Sequence, residues 1–302
     1  MSIGVTQWGR ECRVQVGTVV VRATSDQDSL RVAFVVEREL GEVPPRAEIQ
    51  IYGLSEATRN KLEETPNLTC SIDAGYTGHI SSLFTGVMRR TESIKQGTDW
   101  VFRASVGDPV QITEESKKKA KATFQKETPN ITILSQLIKL AGLKAGNSGK
   151  LSGSSSELKF SSGADRIEKA LSIYGSPLEE LGYFCRSIGI IWSIEDGAFK
   201  GAIAGTPYGP GPLLNSHTGL IEQPRINDQG HVLGYALLLP ELRPGIGFTV
   251  ESRRVSGQFI AVQTKHSGDT HATNDWQVEF RGVPPGGFGS LVSKRYQAGN
   301  NL

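Results

Sequence analysis

The densest group of chemically capable side chains in this 302-residue sequence is His266-Ser267-Gly268-Asp269-Thr270-His271. Two imidazoles and a carboxylate so close together could close on Zn²⁺ or activate water, the chemistry of a metal-dependent hydrolase built on His266, Asp269 and His271. The surrounding pattern argues otherwise. Gly268-Asp269 falls between two strand-like runs, Gln258 to Lys265 and Trp276 to Arg281. The segment therefore reads as a hairpin turn in which Asp269 caps backbone N–H groups and both histidines face solvent.

Other candidates are weaker. Gly146-Asn147-Ser148-Gly149-Lys150 resembles a phosphate loop, but Lys144 stands where the first Gly belongs and Leu151 where Ser or Thr would bind magnesium. Lys117, Lys118, Lys119 and Lys121 could meet phosphates, yet no aromatic is interleaved for base stacking, so a loop or a solvated edge is expected. The pairs Glu63-Glu64 and Glu179-Glu180 sit on helical patterns where adjacent side chains diverge. Nucleophile-elbow, H-E-x-x-H and EF-hand spacings do not occur. No residue is assigned a catalytic, cofactor-binding or metal-ligating role, and a non-enzymatic protein without cofactor is expected.

The elements that would position these side chains are mainly strands. From Val14 to Val106 apolar residues recur at every second position: Val32, Phe34 and Val36; Ala47, Ile49 and Ile51; Leu68, Cys70, Ile72 and Ala74; Trp100, Phe102, Ala104 and Val106. One helix capped by Ser55 interrupts them. After Pro109, helical spacing appears at Ile131, Leu134, Leu137, Ile138 and Ala141, stopping at Gly142, and again at Ile167, Ala170, Leu171 and Tyr174. A third helix opens at Ser176-Pro177, directs Leu178, Leu181, Cys185 and Ile188 inward, and ends at Gly189. A hairpin turning on Asp196-Gly197 follows. Thr206 to Pro212 reads as a Pro/Gly-rich hinge, after which His231–Leu239, Phe248–Ser252, Gln258–Lys265 and Trp276–Arg281 are strand candidates. Most of Trp8, Trp100, Trp192 and Trp276, each beside or within apolar alternation, are expected to anchor cores.

These patterns divide the chain into a first β-domain with one helix (1–108), a small α+β domain (109–205), a second β-domain (206–283) and a flexible tail (284–302). The fold class is mainly β with an α+β insertion: a small antiparallel barrel or sandwich, a mixed domain and a second all-β region. The 35 glycines suit many short strands, and Gly75 and Gly86 fall inside strand patterns where a curling sheet needs a bend. The 33 basic and 31 acidic residues leave a net charge of +2, which gives no overall pull toward nucleic acid or an anionic membrane. Cys12, Cys70 and Cys185 have no chelating or redox spacing, so buried thiols in a reducing cytoplasm are expected. No apolar run is long enough for a membrane anchor.

Two stretches carry a more specific pattern. One is Arg46-Ala47-Glu48-Ile49-Gln50-Ile51-Tyr52-Gly53-Leu54-Ser55, with Arg59, Ala74-Gly75-Tyr76 and Leu83-Phe84-Thr85-Gly86-Val87. The other is Leu238-Leu239-Pro240-Glu241-Leu242-Arg243-Pro244-Gly245, followed by Val250-Glu251-Ser252, Gly257-Gln258-Phe259 and His266 to His271. Pro244-Gly245 fits the centre of a type II turn. In this order the stretches resemble the baseplate hub proteins of phage tails and related contractile injection systems. The resemblance implies that the two β regions are tube-like antiparallel β-barrels flanking the small mixed domain. It implies a homotrimeric ring whose two β-barrels per chain present six similar units to a hexameric tail tube, making the chain a structural symmetry adaptor. It further implies contacts with the tail tube protein, a spike or tail-tip protein, other baseplate proteins and the tape-measure protein. The particle would be assembled in the host bacterial cytoplasm, with no specific nucleic acid as partner. The hub of a phage-tail-like bacteriocin or secretion device is the nearest alternative.

Overall fold

The computed structural model of the protein describes residues 9–26, 28–109, 119–146, 166–272 and 275–290. The early alternation forms antiparallel strands β1 (Arg10–Val16), β2 (Val19–Thr24), β3 (Val32–Glu39), β4 (Arg46–Tyr52), β5 (Thr69–Tyr76), β6 (His79–Gln96) and β7 (Asp99–Gly107). Val14, Phe34, Ile49, Ile72 and Phe102 meet in one core, as period-two burial requires. Helix α1 (Glu56–Glu64) starts where expected, with the Ser55 hydroxyl accepting from the Thr58 N–H and Glu56 in the positive first turn. Trp100 is a correction: it is 43% exposed beneath the Arg59 guanidinium, and its neighbour Val101 takes the buried position. Trp192 and Trp276 are buried as expected, and Trp8 lies outside the described residues.

The middle of the chain contains β8 (Ala120–Phe124), α2 (Asn130–Leu140), β9 (Leu171–Gly175), α3 (Pro177–Ser187), β10 (Ile190–Glu195) and β11 (Ala198–Ile203). The helices of Leu134 and Leu181 form as read, and Asp196-Gly197 turns the β10–β11 hairpin with φ of 52° and 75°, the left-handed pair of a type I′ turn. The helix expected around Leu171 is instead strand β9. Ile173 is buried between exposed Ser172 and Tyr174, directly across from buried Ala122 of β8. Cross-strand pairing thus selected period two over an equally possible helical spacing. Of the two readings of the lysine segment, the solvated edge holds for its described end: β8 belongs to a two-stranded sheet, Lys119 and Lys121 are exposed, and Lys117 and Lys118 lie outside the described residues. Ile133, Leu137, Phe184, Trp192 and Phe199 share a second core.

The last third supplies β12 (Pro210–Leu214), β13 (Arg225–Ile226), β14 (Val232–Leu237), β15 (Gly247–Glu251), β16 (Ser256–Asp269) and β17 (Trp276–Val283), with a core around Val232, Phe248, Val250 and Phe280. Part of the expected hinge is strand: β12 pairs in parallel with β15. Residues 285–290, expected within the flexible tail, form a 3-10 turn that buries Phe288 against Ile191, Ile260 and Val283. One aromatic side chain with a prepared apolar bed is enough to order so short a segment. Residues 291–302 lie outside the described residues.

The two β regions are not hydrogen-bonded apart. One 13-stranded sheet runs in the order β13-β14-β17-β16-β3-β4-β7-β6-β5-β1-β2, with β15 joining β16 and β12 joining β15; among the described residues its path does not close on itself. Strand β16 makes the connection. Ser256–Ile260 pair with β15, whereas Gln263–Asp269 pair with β3, and a register shift between Ala261 and Gln263 separates the halves. β6 is shared in the same way, pairing with β5 up to Val87 and with β7 beyond it, with a shift between Met88 and Arg90. The other β6 shift lies between Ile72 and Asp73, so the unpaired residues Leu83 and Arg89 fall on either side of Gly86, while Gly75 pairs in register with Ile80.

Gly268 is not in a turn. It sits within β16, opposite Phe34 on one side and Trp276 on the other, and the two rings meet edge-on across it with centroids 5.5 Å apart. A Cβ at Gly268 would lie 2.3 Å from Phe34 Cζ and 2.9 Å from Trp276 Cε3. Trp276 Nε1 donates to the Gly75 carbonyl at 3.1 Å, so the last strand is also tied to β5. Gly268→Ala is expected to cost about 1–3 kcal/mol, the usual range for overpacking a core. In urea unfolding, the midpoint should fall with the slope unchanged.

Candidate functional site, a buried polar junction

The segment Leu238 to Ile246 lies between β14 and β15, and its sequence dictates its shape. Pro240 and Pro244 each remove a backbone donor, and the chain turns twice, through Leu242 N–H to Leu239 O (3.0 Å) and Ile246 N–H to Arg243 O (3.1 Å). Gly245 takes φ +86°, the left-handed position of the expected type II turn, and leaves no room for a side chain against the Tyr208 ring. Leu238 and Leu242 are buried, and the polar groups of the segment reach three other parts of the chain. Leu239 O faces His266 Nε2 of β16 at 3.0 Å. The Arg243 guanidinium donates to Pro240 O and to Ser82 O of β6, and its Nη1 lies 3.8 Å from Glu195 Oε2 at the end of β10. Gly245 O accepts from Tyr208 N–H at 2.7 Å.

Charged groups collect around this segment. Glu195, itself buried, also pairs with Lys200. Asp108, fully buried, accepts the Gly197 N–H at 3.0 Å, fixing the β10–β11 turn against the end of β7. Arg38 of β3 points inward, donates to Leu83 O of β6 and lies over the Phe84 ring. Its burial, reinforced by Arg243, lowers its pKa to about 10, while Glu195, Asp196 and Asp108 pull the other way. The His266 imidazole is driven down to about 3 by burial and then by Arg38. Because Leu239 O can only accept, Nε2 carries the proton and Nδ1 is a bare acceptor.

This geometry separates the residues that looked most chemical. His266 and Asp269 are three positions apart in one strand and so project from opposite faces of the sheet. His266 is buried, correcting the expectation of an exposed ring. Asp269 behaves as the sequence suggested, accepting from the N–H groups of His271 (3.0 Å) and Ala272 (3.1 Å), and it also binds Arg31 at 2.6 Å. Burial pushes its carboxyl up, but Arg31 and those N–H groups outweigh it and hold the pKa below the usual carboxylate range. His271, half-buried, places Nδ1 3.0 Å from Thr270 Oγ1. No three metal-ligating side chains converge among the described residues. Asn147 to Lys150 lie outside the described residues. All three cysteines are free and buried, as expected, with the Cys70 thiol raised to about 12 by burial. On the opposite face from His266, the outward side chains of β4, β3, β16, β17 and β14 line a groove of about 530 Å³ that includes Glu48, Gln50, Ser267, Gln277 and Glu279.

Sequence reasoning missed Arg38, Asp108, Glu195 and Arg243 as a group. Arg38 was within reach, since it continues the inward parity of Val32, Phe34 and Val36.

No protein-family model and no curated protein matches the sequence. Solved structures do match in fold. A 43 kDa tail protein of prophage MuSo2 from Shewanella oneidensis superposes with a TM-score of 0.62 at 10% identity, over 92% of this chain and 98% of that one. The chain has the fold of a phage tail protein. A tail protein from Neisseria meningitidis gives a TM-score of 0.60 at 11% identity, covering 91% of this chain and 96% of the other. An Escherichia coli component of the type VI secretion system, described as structurally similar to T4 bacteriophage tail proteins, gives 0.55 at 11% identity, covering 90% and 76%. So few shared residues carry the fold alone. What persists at this divergence is the overall fold, over nine-tenths or more of this chain.

Buried His266 makes stability depend on pH. The unfolded imidazole titrates near 6.5 and the folded one near 3, so between these values the unfolded chain binds more protons. Stability is therefore greatest above about pH 6.5 and falls as the pH drops toward 3, by up to about 1.4 kcal/mol per unit. His231, lowered by burial and then Arg281, adds in the same sense, whereas Asp269 contributes only below about pH 4. Urea midpoints measured from pH 7 to pH 4.5 should fall in the wild type and fall less in His266→Gln, which keeps a donor for Leu239; equal slopes would contradict the assignment.

Proposed function

We propose that the chain is a structural subunit of a phage tail, the baseplate hub, acting without catalysis. Residues 1–108 and 206–283 would supply two tube-like β-domains, with 109–205 as the mixed domain between them, and three chains would form a ring located in the virion tail. The ring would match a hexameric tail tube to a trimeric spike or tip. Supporting this is the likeness over more than nine-tenths of both chains to two tail proteins. The buried residues point the same way: the polar side chains that sequence singled out for chemistry are spent on joining strands and loops. A second reading, the hub of a secretion device or phage-tail-like bacteriocin, draws on the shared fold of the type VI secretion component.

The purified full chain should show a solution mass three times the 32.7 kDa of one copy. A monomer that stays monomeric at high concentration would count against the hub. His271→Ala should leave that mass unaltered; stoichiometric zinc bound by the wild type and lost in this variant would instead revive the hydrolase built on His266, Asp269 and His271.

A further inference from the structure

The junction contains four buried polar atoms with no hydrogen-bond partner among the described residues: Arg38 Nε, Arg38 Nη1, Thr264 Oγ1 and His266 Nδ1. They are neighbours by construction. Thr264 lies directly opposite Arg38 in the β3–β16 ladder, and His266 is two positions further along β16 on the same inward face. All three side chains are buried, with His266 fully enclosed and Thr264 nearly so. Leaving such groups unpaired incurs their full desolvation cost, and buried polar groups are ordinarily satisfied by protein or ordered water.

The chemistry of the four atoms selects the occupant. Arg38 presents two N–H donors that need an acceptor. His266 Nδ1, with its proton on Nε2, is a bare acceptor that needs a donor. Thr264 can do either. An anion could accept from Arg38 but would face the Nδ1 lone pair; a second side-chain carboxylate would face the same repulsion. A molecule that both donates and accepts satisfies all of them.

We propose that the junction holds structural water, with at least one molecule accepting from Arg38, donating to His266 Nδ1 and reaching Thr264 Oγ1. The site is internal and polar, and its ligand is water as a fixed part of the fold. It bridges β3 to β16 where the first and last thirds of the chain are hydrogen-bonded together, and so supplements the ladder with a side-chain link.

A crystal structure of the full-length protein at neutral pH, at a resolution that shows ordered solvent, tests this directly. A water oxygen within hydrogen-bond reach of an Arg38 nitrogen and of His266 Nδ1 is the expected result. A dry junction, with Thr264 Oγ1 turned onto Nδ1, would overturn it; so would a halide at the same place, revealed by anomalous signal after bromide soaking. A double-mutant cycle of Arg38→Met and His266→Leu provides a solution readout. Sharing a bridging water should make the two changes non-additive by about two-fold or more in the folding equilibrium constant. Strict additivity argues against a shared molecule, and if the variants fail to fold, the wild-type structure still decides.

Discussion

Everything in this fold depends on the pairing of β16 with β3. Strand β16 belongs to the last third of the chain through its first half and to the first third through its second, so more than 220 residues of intervening sequence are closed by one ladder from Gln263–Glu39 to Asp269–Ala33. Closing a loop of that length is entropically unfavourable before any contact compensates. The ladder is accordingly reinforced on both faces. On the inner side Phe34 and Trp276 meet over Gly268, and Trp276 reaches the Gly75 carbonyl. On the outer side Asp269 binds Arg31, and Lys265 and Arg46 converge on Glu37.

The same ladder explains why so much charge is buried nearby. Arg38 and His266 are internal because they occupy inward positions of strands whose register is set elsewhere. Buried polar groups of this kind seldom add net stability, since desolvation offsets most of the attraction, but each has only a few acceptable geometries. Leu83 O for Arg38, Leu239 O for His266 and Ser82 O for Arg243 are such geometries, and each joins a different pair of elements. The structural role proposed above would be served by specificity of that kind. The mixed region is attached in the same way, through Asp108 to Gly197, Glu195 to Arg243, and Glu42 to Arg186 at 2.6 Å.

Local rules were sufficient for much of the chain. The alternation of Val32, Phe34 and Val36, the Ser55 cap, the Ser176-Pro177 helix start, the Asp196-Gly197 turn and the Pro244-Gly245 turn all form as read, because each depends on residues within a few positions. The buried thiols and the mainly antiparallel β class belong with them. The order of motifs from Arg46 to His271 also pointed to the tail-protein fold that the structural likeness supports.

What only the tertiary structure decided are the partners. Leu171 to Gly175 is a strand because β8 lies beside it, and Phe288 is ordered because Ile191, Ile260 and Val283 are there to receive it. Gly268-Asp269 looked like a turn because Gly and Asp favour turns; in the fold Gly is required where two aromatic rings from flanking strands meet, and Asp is required by Arg31 and two N–H groups. Sequence carries the preferences of each residue for its own backbone, which are local. Whether a histidine becomes a ligand, a surface group or a buried hydrogen-bond donor depends on which distant strand pairs with its own, and that is fixed by the packing of the whole sheet.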